Sequence, residues 1–121
     1  MFTYATLNTN RQSFEKLTDL ISKLVMSPSS SEDKSIIAGR YGGEEFLLLL
    51  PNFDLPEAIT YCQGLLSTIE ATEFIPSKTI TVSGGVVTNK KGTATEMIQV
   101  ADTLLYDAKD SGRNQIKYNY C

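Results

Sequence analysis

Two extended stretches meeting at Gly42-Gly43 restrict the fold more than anything else in this chain. Glu45 to Leu50 is a near-continuous apolar run of the kind found in a buried strand. Ser35 to Tyr41 reads as a second strand, and the glycine pair between them permits the positive φ angles of a tight hairpin. Pro51 closes the run. A hairpin this apolar needs more strands beside it and helices over it.

The rest of the chain supplies both. Phe14, Leu17, Leu20, Ile21, Leu24 and Val25 recur at three-and-four spacing, which predicts an amphipathic helix over residues 12–26, followed by a polar, Pro-broken loop at 27–33. Asp54 precedes Pro56 and Glu57, an N-cap with proline and acid in the first turn, and Ala58, Ile59, Cys62, Leu65, Leu66 and Ile69 form the apolar stripe of the helix it opens. Lys78 to Thr88 is rich in β-branched residues and predicts a strand. Its Gly84-Gly85 pair marks close packing against a helix. Thr93 and Glu96 form a capping box for a third helix, striped by Met97, Ile98, Val100, Ala101, Leu104, Leu105 and Ala108, with Gly112 suited to its C-terminal cap. Gln115 to Tyr120 alternates and predicts an edge strand, with Tyr118 and Tyr120 as packing residues. The order helix, hairpin, helix, strand, helix, strand predicts an α/β sandwich: helices over a mostly antiparallel sheet, in one domain of 121 residues.

Several chemistries are excluded at once. The chain has no histidine, which removes imidazole catalysis and most zinc sites. Its net charge of −3 makes a nucleic-acid polymer a poor partner, though a small nucleotide carried with a divalent cation needs only a few local charges. The two cysteines, Cys62 in a helical stripe and Cys121 at the end, read as free thiols of a reducing compartment. No stretch resembles a membrane span or a signal peptide, so a cytoplasmic location is expected.

Two stretches carry candidate chemistry. In Arg40-Tyr41-Gly42-Gly43-Glu44-Glu45-Phe46 the glycines allow backbone to approach a ligand, and the two carboxylates are hard oxygen donors suited to Mg²⁺. The plainer alternative is a hairpin with solvated acids at its tip. In Lys109-Asp110-Ser111-Gly112-Arg113-Asn114 the two cations are four residues apart and could grip phosphate oxygens. Equally, cations at a helix C-terminus can do no more than complement its dipole. Asp102 and Asp107, on the same helix, are expected to be solvated.

Taken together these stretches resemble the GGDEF family of diguanylate cyclases. Residues 40–46 are similar to its signature in the Gly-Gly-Glu-Glu-Phe variant. Thr81-Val82-Ser83-Gly84-Gly85-Val86 resembles its following strand, and Ala101 to Lys109 with Gly112-Arg113-Asn114 resembles its closing helix and turn. The resemblance implies a palm-like fold related to polymerases and adenylyl cyclases. It also implies a homodimer of facing domains, each holding GTP with Mg²⁺ or Mn²⁺, that makes cyclic di-GMP and pyrophosphate. By that analogy Glu44 and Glu45 bind metal and act in catalysis, Gly42 and Gly43 admit the guanosine, and Lys109 and Arg113 bind terminal phosphates. A sensor or phosphodiesterase domain would belong to a parent protein.

The departures from the family lie at the start. The family's first strand ends in an aspartate that completes the metal site, and this strand is expected to be missing, leaving the C-terminal two-thirds of the domain. The family's phosphate- and guanine-contacting motifs have no match in residues 1–14. Asn8 and Asn10 are polar, but their register is expected not to fit, and Asp33-Lys34-Ser35-Ile36 does not match the product-inhibition motif. The chain alone is therefore expected to be inactive, as an impaired cyclase or as an inactive GGDEF module that binds GTP or a protein partner and regulates an attached signalling domain.

Overall fold

The computed structural model describes residues 2–9, 36–41, 45–71, 81–89 and 92–120. Among them are five strands and two helices: β1 (Phe2–Asn8), β2 (Ile37–Tyr41), β3 (Glu45–Pro51), α1 (Leu55–Ala71), β4 (Ser83–Asn89), α2 (Ala94–Asp110) and β5 (Ile116–Tyr120). The strands form one sheet in the order β2-β3-β1-β4-β5. Three of its pairings are antiparallel and only β4 with β5 is parallel. The mixed α/β architecture is as expected. The helix over 12–26, the loop at 27–33 and the start of the 78–88 strand lie outside the described residues.

The middle of the sheet corrects one expectation. A strand does precede the hairpin: Phe2–Asn8 is the central strand, paired along its whole length with β3 on one side and β4 on the other. It escapes a pattern reading because both its faces are covered. Ala5 and Leu7 enter the core against α1, while Thr3 and Thr6 are also fully buried. Buried hydroxyls need partners. The Thr3 hydroxyl donates to the Phe53 carbonyl at 2.9 Å and lies 2.6 Å from that of Thr88, and the Thr6 hydroxyl donates to the Ala101 carbonyl at 3.2 Å.

Each helix starts where its capping chemistry dictates. At α1, Asp54 accepts a hydrogen bond from the Glu57 amide at 2.8 Å, and the Glu57 carboxylate accepts one from the Asp54 amide at 3.3 Å. At α2, Thr93 Oγ1 accepts from the Glu96 amide at 3.2 Å. Two orphan amides of each first turn need such partners. At the far end of α2 the Arg113 amide donates to the Ala108 carbonyl at 3.0 Å and Gly112 to Lys109 at 3.4 Å, with Gly112 at φ +118°. These two bonds make a Schellman turn.

The helices lie on opposite faces. Leu55, Ala58, Cys62, Leu65, Leu66 and Ile69 of α1 pack with Leu48, Leu50, Val82 and Val86 in the larger core. On the other face Met97 and Ala101 of α2 pack with Val87. Gly85 is what lets α2 come so close, since a Cβ there would sit 2.1 Å from the Ala101 carbonyl oxygen. β2 and β5 are the sheet edges. The expectation that Tyr118 and Tyr120 pack is corrected: on the β5 edge they are 51% and 63% exposed.

Candidate functional site

The sheet presents one end of three strands together. Asn8, the last residue of β1, is the Cα partner of Glu45, the first residue of β3, and of Ser83, the first residue of β4. Side chains alternate along a strand, so residues two apart share a face. Thr6 reaches the α2 backbone, which puts Asn8 on the α2 face, and Glu45, directly opposite, on the same face. Across a strand pair such neighbours interact directly.

Helix α2 brings two further charges over this end. Asp102 follows Ala101, the residue bonded by Thr6, and Lys109 lies seven positions on, two helical turns along the same face. The electrostatics register the meeting. Burial pushes the Glu45 carboxyl above its ordinary value, the neighbouring Asp102 charge pushes it further, and Lys109 draws it back. Asp102 is likewise raised by burial and lowered by Lys109. The expectation that Asp102 is solvated is thus corrected: its Oδ1 is buried with no hydrogen-bond partner among the described residues. Asp107 is exposed.

The predicted site residues divide. Glu45 and Lys109 come together. Arg113 does not join them: its backbone takes φ +64° in the turn after α2, its side chain is exposed, and it makes no ion pair among the described residues. Gly42, Gly43 and Glu44 lie outside the described residues. Asn8 and Asp102 stand with them, the first read in the sequence as polar but out of the motif's register and the second as solvated, although the seven-residue spacing from Asp102 to Lys109 was a usable signal. Asn8 stands directly beside Glu45 in the β1–β3 register.

Carboxylates of Glu45 and Asp102 and the amide oxygen of Asn8 are all hard oxygen donors, the set that Mg²⁺ and Mn²⁺ prefer. Two partly desolvated carboxylates that repel one another, one with an orphaned oxygen, fit a divalent cation. Among the described residues no three acidic, histidine or cysteine side chains alone surround such a point, so other oxygens would have to fill the remaining positions. A described groove lies elsewhere. Of about 610 Å³, it runs between α1 and the turn before β5, lined by Gln63, Leu66, Ser67, Glu70, Asn114 and Gln115. No candidate residue lines it.

The comparisons with known proteins decide the family. The sequence model of the family described as diguanylate cyclase, GGDEF domain, matches residues 9–115. This chain belongs to the GGDEF domain family. A diguanylate cyclase of Vibrio cholerae, VdcA, is 38% identical over 88 residues, covering 67% of this chain and 26% of that protein. The GGDEF chain thus spans about a quarter of the length of this curated relative. The active GGEEF domain of a V. cholerae diguanylate cyclase superposes with a TM-score of 0.80 at 21% identity, covering 97% of this chain and 81% of the other. The GGDEF domain of DgcB from Caulobacter crescentus, solved in complex with c-di-GMP, superposes at 0.79 with 21% identity, covering 97% and 74%. These superpositions establish the fold. Among the described residues no helix of this GGDEF chain is long and apolar enough to cross a membrane.

Proposed function

We propose that this GGDEF domain binds GTP with Mg²⁺ or Mn²⁺ at the end of β1, β3 and β4 where Asn8, Glu45 and Ser83 meet, and that its chemistry is that of a diguanylate cyclase: two GTP condensed to cyclic di-GMP with loss of two pyrophosphates. The observation that supports this reading is the meeting of Glu45, which follows Gly42-Gly43-Glu44 in the sequence, with Asp102 and Lys109. Lys109 binds a phosphate oxygen as a point charge, and Glu45 holds the cation. Glu44 contributes the second carboxylate and takes the proton of the attacking 3′-hydroxyl. Gly42 and Gly43 admit the guanosine, and Arg113 turns toward the terminal phosphates when they are present. A bound divalent cation would supply charge neutralisation at the α-phosphate. Condensation joins two nucleotides, so the active form is a homodimer with one GTP in each domain. Residues 1–121 are read as a single domain, and a sensor or phosphodiesterase domain elsewhere in a parent protein would control it.

A specific observation favours reduced turnover. Position 8 in the central strand is a neutral amide, so the site holds one fewer charge than three carboxylates would give it. The accompanying reading is a GGDEF module that binds GTP and regulates an attached domain. Incubation of the purified protein with GTP and Mn²⁺, then chromatography for cyclic di-GMP, separates the two. Product that vanishes in Glu44→Ala establishes the cyclase. Saturable GTP binding by calorimetry without product establishes the regulatory module. Neither product nor binding refutes both.

A further inference from the structure

We propose that β5 is a docking edge for a second copy of this chain, which lays its own β5 alongside in antiparallel sense and joins the two sheets into one. Among the described strands β5 stands at the sheet edge, with β4 on one side. The Gly84 amide donates to the Gln115 carbonyl at 3.0 Å, and Gly84 is the Cα partner of Ile116. In a parallel ladder a residue bonds the two neighbours of its partner. Gln115, Lys117 and Asn119 therefore turn their backbone groups to β4, while Ile116, Tyr118 and Tyr120 turn theirs outward. Such a row of outward amides and carbonyls is a template for another strand. The Tyr120 amide is held by the Asn119 side chain, whose Oδ1 accepts from it at 2.8 Å. The rest of the row carries no such guard among the described residues.

This edge is complementary to itself. Antiparallel pairing centred on Tyr118 sets Tyr118 against its own copy, Ile116 against Tyr120, and Lys117 against Asn119. Outward-bonding residues then meet one another, as hydrogen-bonded pairs require, and all of β5 is in line. Sliding by two residues keeps that matching but shortens the seam, and in one direction sets Lys117 against Lys117. Like charges directly opposite are destabilising, so charge selects the centred register. The side chains agree with it. Ile116 belongs to the core under α1, so Tyr118 and Tyr120 share that face, where both rings are exposed and would stack across the seam. On the other face Lys117 lines a groove of about 490 Å³ with Asp107 and Asp110 of α2. A seam one strand wide makes a weak, reversible dimer. Because β5 runs parallel to β4, which starts at Ser83, antiparallel pairing points the two Glu45 ends in opposite directions. This dimer is thus a different assembly from the catalytic one proposed above, and it does not depend on GTP.

The test uses the full chain under reducing conditions, with neither GTP nor metal. Sedimentation velocity up to about 1 mM protein is expected to show a monomer–dimer equilibrium with Kd on the order of 100 µM. Asn119→Asp sets a carboxylate across from Lys117 of the second copy, twice per dimer, and should tighten the dimer roughly threefold to tenfold. Asn119→Lys sets lysine against lysine and should loosen it by a similar factor. Tyr118→Pro removes an outward N–H that β4 does not use and should abolish the dimer. If that variant loses its helical circular dichroism, the Asn119 pair decides, since position 119 is exposed. Oxidation in a Cys121→Ser background reads the register. Tyr118→Cys should crosslink, because opposed Cα atoms there would lie about 5.5 Å apart, and Tyr120→Cys should not, being displaced from its own copy by roughly 14 Å along the strand. A chain that stays monomeric throughout, Asn119 variants that leave the affinity unchanged, or crosslinking at 120 as fast as at 118 overturns the proposal.

Discussion

Gly85→Ala tests whether α2, the helix that carries Asp102 and Lys109, is held rigidly on the sheet. A Cβ at position 85 would lie 2.1 Å from the Ala101 carbonyl oxygen, 2.6 Å from the Leu105 amide nitrogen and 2.9 Å from Leu104 Cβ. Favourable contacts to carbon begin at about 3.5 Å, so the helix must retreat by roughly 1 Å or more. Two of the three atoms are helix backbone, which no rotamer change can move aside. Retreat loosens Val87, Met97 and Ala101, which form the smaller core, and stretches the 3.2 Å bond from Thr6 to Ala101. Overpacking of this kind and one weakened buried hydrogen bond together cost about 3–4 kcal/mol. Gly84→Ala is the control. Its added methyl would meet Leu7 Cδ2, the end of a flexible side chain, at 2.8 Å, Ile116 Cγ2 at 3.1 Å and the Thr6 carbonyl oxygen at 3.3 Å; with the one backbone atom farther off than at position 85, the expected cost is about 1–2 kcal/mol. Urea unfolding followed by circular dichroism at 222 nm measures both. The reasoning is refuted if Gly85→Ala destabilises no more than Gly84→Ala.

The other predictions concern the carboxylates, a cap and a thiol. The folded-state pKa of Glu45 is raised, so native protein holds this proton more tightly than unfolded chain, and the group's contribution to stability falls as pH rises through its titration range. Glu45→Gln should therefore unfold at higher urea than wild type at pH 7 without added metal. The difference should shrink as pH falls below the usual carboxylate range; a Gln variant less stable than wild type at pH 7 contradicts this. Thr93→Ala removes the hydroxyl that accepts from the Glu96 amide and should cost about 1 kcal/mol in urea unfolding, with no change in m-value. Burial pushes the Cys62 thiol up to about 12, so in a Cys121→Ser background its labelling by a thiol reagent at pH 8 should follow global unfolding. Labelling that outpaces unfolding would show that the α1 core opens locally.

Local chemistry made much of the fold legible. The Thr93/Glu96 and Asp54/Glu57 boxes act within four residues, and each helix begins where they stand. The hairpin strands and the glycine approach to α2 were equally readable, because a buried apolar run and a missing Cβ have few other uses. The central strand was not. Its threonines find partners 50, 85 and 95 residues away, and nothing near them in sequence tells a satisfied buried hydroxyl from a solvated one. Asp102 was misjudged for a related reason. Its helix is amphipathic, and an acid beside the apolar stripe reads as solvent-facing until the strand end beneath it is known.

That strand end explains why the fold tolerates a costly cluster. Burying two carboxylates side by side weakens a domain unless something balances them. Here the cost falls at the ends of the described strands: Glu45 and Ser83 are first residues of theirs and Asn8 is the last of its own. The strand centres carry the opposite chemistry, with Ala5, Leu48 and Val86 fully buried beneath α1. Stability is thus concentrated in the middle of the sheet and charge at one end. A cation and a triphosphate arriving at that end would relieve repulsion already built into the unliganded domain. Binding should therefore stabilise the domain against urea more at neutral pH than at pH 5, because the raised carboxylates take up protons as pH falls. Adding MnCl₂ with GTP at pH 7 and at pH 5 measures this, and a larger stabilisation at pH 5 would show that Glu45 and Asp102 are not the groups being neutralised.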